Sequence, residues 1–356
     1  MQLPVQQIIS TRLLAQVFNS TSATYKFYWF ISILEIYTNR QDRRIRFDEI
    51  LTRMIANAWY PIHYFRLSFG MQDKLSENIK EIQAITNIPI DVDKETLQKL
   101  LLSSTDQRVW KLINNFSLQV PYRFLSPWIS YSSDKDVIDQ SANYSNDCLY
   151  SIETNAEKAI VLNEKWCEYL LFNHRILHDF CYWNLTMYLQ LKNPNVPDLA
   201  NKLVKPILRN SLTSQRAYWE IVFDNQNEIE CIYTGKKLSK NNYDLEHFIP
   251  WSFVSHDLQW NLMPSDKFIN CSKSNKLPPL DVYLPKFVMQ QKKALEIVFQ
   301  TQPNNKRLED FTIFGYSASD LAKMPLDSFN ELYYKTMSPM VQIAENMGFE
   351  KWLRPL

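Results

Sequence analysis

Five side chains that could form a catalytic site lie close together in one stretch of the sequence. Glu246 is followed directly by His247, which is one of only five histidines in the 356-residue chain. Asn261, Asn270 and Lys273 follow at short intervals. A histidine can act as a general base near neutral pH, and carboxylate and amide oxygens are ligands that Mg²⁺ prefers.

This combination suits the hydrolysis of a phosphodiester bond. The reaction needs a base that activates water and a cation that stabilises charge on the phosphate and the departing oxygen. We predict that His247 is the base and that Glu246 and Asn270 bind Mg²⁺ or Mn²⁺. Neighbouring residues on a strand face opposite sides, so an adjacent pair at a strand end can direct the carboxylate to the cation and the imidazole to the water.

The other residues of the stretch have supporting roles in this interpretation. Pro250 stiffens the chain after the strand, and the side-chain amide of Asn261 can hold the backbone of the long loop. Lys273 comes one helical turn after Asn270, where we expect it to contact a phosphate oxygen.

The stretch resembles the HNH, or ββα-metal, endonucleases. It is most similar to the HNH nuclease domain of type II CRISPR effectors, over about residues 229–285. A CRISPR function is not implied, because the chain is too short for the guide-binding parts of such effectors. The resemblance rests on the segments "EHFIP", "WNL" and "NCSK", together with Ser252-Phe253 and Lys273-Ser274.

The resemblance implies a metal-dependent nuclease that leaves a 5′-phosphate and a 3′-hydroxyl. It implies that His247, Asn261 and Lys273 belong to the catalytic set and that Glu246 and Asn270 hold the metal ion. DNA is the expected substrate, and RNA is not excluded.

Two features depart from the family. Most members have aspartate where this chain has Glu246, so the longer side chain must shift to reach the same ion. Many relatives also carry a four-cysteine zinc site, of which only Cys231 and Cys271 lie near the corresponding places. We therefore expect no structural zinc.

Composition limits the fold and the location. Hydrophobic residues make up 46% of the chain and glycine occurs only four times, which favours a mainly helical globular protein over an all-β fold. The longest apolar stretch near the N-terminus, Phe27–Tyr37, is too short to cross a membrane, and we expect no signal peptide, since the first residues lack a basic segment followed by an uninterrupted apolar one. We expect a cytoplasmic protein with reduced cysteines, since five cysteines without a C-x-x-C pair indicate no disulfide framework.

Apolar periodicity predicts the order of the elements. A polar stretch at residues 130–147 is expected to be a loop. Two β-prone runs, Glu228–Tyr233 and Tyr243–Phe248, are separated by a hairpin-like connection that contains Gly235. Helices are predicted at Pro4–Phe18, Ala23–Tyr37, Asp48–Tyr60, Gln72–Ile85, Lys94–Leu102, Gln107–Phe116, Glu164–Leu191, Leu208–Phe223, Tyr283–Phe299 and Leu326–Trp352.

These elements predict a mainly α fold with a small α+β unit. We assign residues 1–130 to a helical N-terminal domain for recognition or regulation and 131–206 to a linker with a long helix. Residues 207–285 are assigned to the HNH nuclease domain and 286–356 to a helical C-terminal extension.

Basic residues could bind the substrate locally, since the formal net charge of the chain is only +1. The lysines predicted to contact nucleic acid are Lys236, Lys237, Lys240 and Lys276. An arginine cluster is interpreted as solvated, with phosphate contact as the alternative; it consists of Arg40, Arg43, Arg44 and Arg46.

Three further histidines could compete with His247 for a role in chemistry. His256 is a rival base that we interpret as structural or substrate-contacting. His174 and His178 have the spacing of a zinc helix but lack the glutamate of a metalloprotease, which favours an ordinary pair on a helix face.

The leading hypothesis is therefore a metal-dependent HNH endonuclease that acts on DNA, and an effector role in a restriction or anti-phage system is a further hypothesis. One such site cuts one strand, and a protein partner or a homodimer could form through the helical N-terminal region. The alternative is a non-catalytic nucleic-acid-binding or interaction module on a degenerate HNH scaffold.

Overall fold

Helices form most of the chain in a computed structural model, which describes residues 2–144, 146–154, 157–205, 211–226 and 228–353. Three small sheets account for the strands. This arrangement confirms the predicted mainly α fold with a small α+β unit. Contacts divide the chain into two units: residues 1–194 with 199–205, and residues 195–198 with 206–356.

The first unit is built from ten helices and one three-stranded sheet in its described residues. The strands β1 (Arg44–Arg46), β2 (Tyr150–Glu153) and β3 (Ala159–Leu162) are antiparallel, with β3 in the centre. The helices are α1 (Thr11–Gln16), α2 (Tyr25–Arg40), α3 (Phe47–His63), α4 (Lys74–Thr86), α5 (Lys94–Leu102), α6 (Gln107–Asn114), α7 (Val120–Arg123), α8 (Asp134–Ala142), α9 (Glu164–Phe172) and α10 (His174–Lys192).

Helix α2 lies at the centre of this unit and packs against α3 and α10. Its aromatic run is core, as the helical period predicts: Trp29 and Phe30 have no exposed surface. The indole of Trp29 donates a hydrogen bond to the hydroxyl of Tyr150 (3.0 Å), which in turn donates to the backbone carbonyl of Pro121 (2.7 Å). These bonds satisfy the polar atoms that the aromatic residues bring into the interior.

Three local predictions in this unit are corrected. The polar stretch expected to be a loop contains α8, because the hydroxyl of Ser133 caps its N-terminus and Val137 packs inward. The predicted long helix is two helices, α9 and α10, separated at Asn173. The helix predicted to end at Tyr60 continues to His63, and Pro61 lies inside the last turn of α3.

The second unit contains the remaining elements. Its helices are α11 (Thr213–Gln226), α12 (Trp251–Val254), α13 (Lys267–Lys273), α14 (Leu280–Thr301), α15 (Ala318–Lys323) and α16 (Leu326–Asn346). Its strands are β4 (Ile229–Glu230), β5 (Lys237–Leu238), β6 (Asp244–His247) and β7 (Leu262–Ser265), and short 3₁₀ helices lie at Gln259–Asn261 and Lys306–Phe314. The predicted helix from Leu208 begins at Thr213, and residues 208–210 lie outside the described residues.

The strands of this unit form two separate antiparallel pairs. The connection predicted between the two β-prone runs itself contains β5, which pairs with β4 around a turn where Gly235 has a φ of +74°. Strand β6 pairs instead with β7, and the register places His247 opposite Leu262. The order strand, strand, helix from β6 through β7 to α13 is the α+β unit that the sequence predicts.

One hydrophobic core joins this unit across the predicted boundary at residue 285, which falls inside α14. The core includes Trp219 of α11, Trp260 of the loop after β6, Phe287 of α14 and Tyr333 of α16. The assignment of the chain to four domains stays a prediction. No helix in the described ranges combines the length and the apolar composition needed to cross a membrane.

The start of α2 is joined to the start of α4 by one buried carboxylate, which yields a prediction about stability. Asp73 accepts hydrogen bonds from the backbone N–H (2.6 Å) and hydroxyl (2.6 Å) of Thr24 and from the N–H of Leu75 (2.9 Å). Asp73→Ala should lower the free energy of unfolding by about 2–3 kcal/mol, because two helix starts lose their acceptor. Urea unfolding followed by circular dichroism measures this loss.

The matched control is Asp106→Ala, since the exposed Asp106 caps only one helix start through the N–H of Arg108. It should lower the free energy of unfolding by less. Equal losses for the two variants would contradict the role given to Asp73.

Candidate active site

Strand β6 and helix α13 carry the side chains with catalytic chemistry. Asp244 and Glu246 are two residues apart on β6 and therefore project from the same face of the strand. His247 ends the strand and projects from the other face. Helix α13 packs against β6, and it brings Asn270 and Lys273 to the strand.

Glu246 and Lys273 form a buried ion pair. The Nζ of Lys273 lies 2.5 Å from the Oε1 of Glu246 and donates a second hydrogen bond to the backbone carbonyl of His247 (2.8 Å). The side chain of Lys273 is 0% exposed and that of Glu246 is 5% exposed. Burial raises the pKa of Glu246, and the ammonium of Lys273 opposes that rise. The expected contact between Lys273 and a substrate phosphate is therefore not open in this conformation.

His247 contacts a carboxylate that the sequence analysis did not assign to the site. Its Nε2 lies 2.9 Å from the Oδ1 of Asp257, and both side chains are largely buried. An ionised carboxylate only accepts hydrogen bonds, so the Nε2 atom must carry the proton and donate. The Nδ1 atom of His247 is then the nitrogen that can accept a proton.

Asn261 joins the two ends of the loop between β6 and β7. Its side-chain Oδ1 accepts a hydrogen bond from the N–H of Ile249 (2.9 Å), and its Nδ2 donates to the carbonyl of Ile249 (2.8 Å). The backbone carbonyl of Asn261 also accepts from the N–H of Phe248 (2.9 Å). Asn261 is fully buried and therefore shapes the backbone next to His247 instead of facing a substrate.

Asn270 lies beside Asp244, at 3.5 Å from its Nδ2 to the Oδ2 of the carboxylate. The charge of Asp244 also contributes to the raised pKa of Glu246, after the larger effect of burial. Two carboxylates that repel each other, next to an amide, are oxygen ligands of the kind that Mg²⁺ and Mn²⁺ prefer. One or two carboxylates suffice for Mg²⁺, which keeps several waters.

The oxygens of Asp244, Glu246 and Asn270 therefore fit a hard divalent cation. One of these oxygens, the Oε1 of Glu246, is already paired with Lys273. The fit depends on the amide of Asn270. Within the ranges that the structure describes, no three His, Cys, Asp or Glu side chains form a metal-binding group.

Comparison with known proteins assigns this segment to a family. Residues 231–279 match the family model of the HNH endonucleases. This segment is an HNH endonuclease domain. Neither the curated proteins nor the solved structures gave a match to the chain. The match confirms the predicted family, and the particular similarity to type II CRISPR effectors stays a prediction.

An HNH endonuclease domain indicates a nuclease whose substrate is a nucleic acid, and HNH nucleases typically use a divalent metal ion.

The loop between β6 and β7 is held by residues outside the matched segment. Gln215 of α11 donates to the carbonyl of Asp257 (2.9 Å), and Asp310 accepts from the N–H of Gln259 (3.0 Å). Gln291 of α14 donates to the carbonyl of Leu262 (2.6 Å). The loop that carries Asp257 is thus fixed from three sides.

The lysines predicted to contact nucleic acid lie on the surface of the second unit, and each is paired with an acid. Lys236 pairs with Asp266 (3.3 Å) and Lys237 with Glu228 (2.8 Å). Lys240 pairs with Asp224 at 2.7 Å, and Lys276 pairs with Glu350 at 3.9 Å. All four are substantially exposed, so these weak pairs can exchange for phosphate.

The arginine cluster and the rival histidines are placed elsewhere. Each of the four arginines is half-exposed and paired with at least one acid, as for Arg40 with Glu49 (2.5 Å), so both the solvated interpretation and phosphate contact stay predictions. The ring of His256 lies 5.5 Å from that of Trp260. His174 and His178 lie on α10 in the first unit.

Asp244 and Asp257 are the site residues that the sequence analysis missed. Asp244 precedes Glu246 by two residues, so strand alternation could have placed both carboxylates on one face. No comparable signal exists for Asp257, because its approach to His247 depends on the path of an irregular loop.

The two cysteines near the positions of the family's zinc site, Cys231 and Cys271, are both free thiols.

The buried ion pair yields a prediction about stability. Lys273→Met should lower the free energy of unfolding by about 3–5 kcal/mol, because it leaves the carboxylate of Glu246 buried without its partner. Adding Glu246→Gln to this variant should restore part of the loss, since no unpaired charge then remains. Thermal and urea unfolding of the two single variants and the double variant measure the coupling.

Lys236→Met is the matched control, because its exposed pair with Asp266 should contribute about 0–1 kcal/mol. Strictly additive effects of the Lys273 and Glu246 substitutions would refute a direct interaction.

Proposed function

We propose that the protein is a metal-dependent endonuclease that hydrolyses phosphodiester bonds in DNA, with His247 as the general base. The observation that supports this best is the hydrogen bond between His247 and Asp257, within the HNH segment. A histidine oriented by a carboxylate is an arrangement for proton transfer that a purely structural pair does not need. RNA is not excluded as a substrate.

In the proposed mechanism, Asp257 accepts a hydrogen bond from the Nε2–H of His247 and so keeps the Nδ1 lone pair free. Nδ1 takes a proton from the attacking water, and the imidazolium that forms is stabilised by the carboxylate of Asp257. Asn261 holds the backbone at Ile249, two residues after His247. The imidazole of His247 is therefore oriented by its own backbone and by the hydrogen bond to Asp257.

Asp244, Glu246 and Asn270 are the residues that would hold Mg²⁺ or Mn²⁺. When bound, such an ion supplies positive charge that stabilises the phosphate and the departing oxygen. The side chain of Glu246 lies beside Lys273, so a bound metal ion would share the carboxylate with the ammonium of Lys273. Lys273 belongs to the proposed site as the residue that positions Glu246 and the carbonyl of His247.

DNA cleavage tests the role of His247. With Mg²⁺ or Mn²⁺ and plasmid DNA, His247→Ala should lower the cleavage rate by about 10²–10⁴-fold, the contribution expected of a general base. The control is His174→Ala, which removes a histidine of α10 in the first unit and should leave the rate nearly unchanged. Equal cleavage by the His247→Ala variant and the unchanged protein would remove His247 from the mechanism.

Substitutions at Asp257 test the orientation of the imidazole. Asp257→Asn should lower kcat by about 10²-fold with little change in KM for DNA, because it disturbs the tautomer of His247 and no substrate contact. Asp257→Glu should recover part of the rate. A rise in KM with unchanged kcat would show instead that Asp257 contributes to DNA binding.

A non-catalytic nucleic-acid-binding module is the second candidate function. The buried pair of Glu246 and Lys273 favours it, because a carboxylate paired with an internal ammonium has less need of a metal ion. Titration of Mn²⁺ by calorimetry separates the two functions. If neither the unchanged protein nor Glu246→Asp binds Mn²⁺ while both bind DNA, the binding module is the better description.

The biological setting remains part of the proposal. A single site cuts one strand, so a double-strand break would need a homodimer, sequential nicking or a partner. An effector role in restriction or anti-phage defence, docking through the helical N-terminal region and a cytoplasmic location stay predictions.

A further inference from the structure

The first unit contains a cavity of about 700 Å³ that the nuclease chemistry does not use. Its walls come from the start of α2 with the residues before it, the start of α4, and the segment from Asn115 to Arg123. Small-molecule sites in proteins commonly occupy about 300–1,000 Å³. The size therefore fits a ligand much larger than a water molecule or a simple ion.

Positive charge predominates on the cavity wall. Its basic side chains are Lys26, Lys74 and Arg123, and its one lining carboxylate, Glu77, already pairs with Lys74 (2.7 Å). Among the described residues, no carboxylate lies within ion-pair distance of Lys26 or Arg123. Burial lowers the pKa of Lys26, and the charge of Arg123 lowers it further. Two neighbouring cations without a counter-charge favour an anion between them.

Both cations are held in position by the protein. The ammonium of Lys26 donates to the carbonyls of Val17 and Ser20, at 3.2 Å each, which leaves its third proton for another acceptor. The guanidinium of Arg123 lies over the ring of Tyr131, 3.4 Å from its centroid. The hydroxyl of Tyr131 donates to Asp134 (2.9 Å), which fixes the ring under the guanidinium. Side chains already ordered in this way lose little entropy when a ligand binds.

The remaining wall provides neutral donors and flat apolar surface. Ser20, Thr21 and Ser22 place three hydroxyl groups along one side. The half-buried ring of Tyr25 lies on another side, and the buried ring of Phe116 lies 6.1 Å from it. Hydroxyl donors beside two cations suit phosphate oxygens, whereas aromatic surface suits a planar ring.

We propose that this cavity binds a nucleotide, with its phosphate between Lys26 and Arg123 and its base against the ring of Tyr25. An arginine beside a lysine matches the charge of a phosphate group and, through the planar guanidinium, its geometry. The cavity is a second binding site of the protein. The proposal does not depend on the activity of the HNH segment.

Isothermal titration calorimetry of the full chain tests the proposal, with ATP, AMP, inorganic phosphate and adenosine as separate ligands. A nucleotide should bind, inorganic phosphate should bind more weakly because it lacks the ring, and adenosine should bind weakly because it lacks the phosphate. Arg123→Gln and Lys26→Gln should each weaken nucleotide binding about tenfold, the effect expected for one lost charged hydrogen bond.

Two further variants control for folding. Leu118 lies on the cavity wall and is 66% exposed, so Leu118→Glu adds a negative charge without disturbing the core and should also weaken binding. Arg108→Gln changes an exposed arginine outside the cavity that pairs with Asp106, and it should leave the affinity unchanged. Unfolding curves for each variant show whether the fold is retained.

Three results would overturn the proposal. The first is that neither nucleotide binds at millimolar concentration. The second is that nucleotide binding is unaffected by both Arg123→Gln and Leu118→Glu. The third is that these variants weaken binding of a short DNA duplex but not of nucleotides, which would make the cavity part of a nucleic-acid surface.

Discussion

The ion pair between Lys273 and Glu246 is the constraint on which the geometry of the HNH segment depends. Two charges have left water, and neither is tolerated in the interior without the other. The pair joins α13 to β6, and the bond from Lys273 to the carbonyl of His247 fixes the same end of the strand. With α13 held there, Asn270 lies beside Asp244. One buried contact thus sets the relative positions of the candidate metal ligands and the candidate base.

The same contact limits the metal site, because one oxygen of Glu246 faces an ammonium. Glutamate is one methylene longer than the aspartate most members of the family carry, and this length lets the carboxylate extend to Lys273. The neighbouring Asp244 then becomes important, since it supplies a second carboxylate on the same strand face. The affinity for a metal ion should therefore depend on how strongly the ammonium of Lys273 competes with the ion for the carboxylate of Glu246.

The residue pattern of the sequence predicted more of the candidate active site than of the loops and helices around it. The adjacency of Glu246 and His247 and the loop contact of Asn261 follow from residue types and spacing over a short range, whereas the pairing of β6 with β7 was not predicted. The contact between His247 and Asp257 does not follow from that pattern, because a turn at Ser255, with a φ of +57°, redirects the loop. Helix α8 was missed for a related reason: its polar composition resembles a loop, and only the cap at Ser133 and the inward face of Val137 reveal a helix.

Long-range contacts explain why the matched segment is not an independent structure in this protein. The 49-residue match, from residue 231 to 279, contains His247, Asp257 and the loop contact of Asn261, but not three further groups that hold the same region. Gln215, Gln291 and Asp310 all lie outside it, and each bonds to backbone of the loop or of β7. Their hydrogen bonds are buried or partly buried, so losing one leaves an unpaired polar group in the interior. The helices on both sides of the segment are therefore part of the site's support, and recognition of a substrate need not be the reason that they are present.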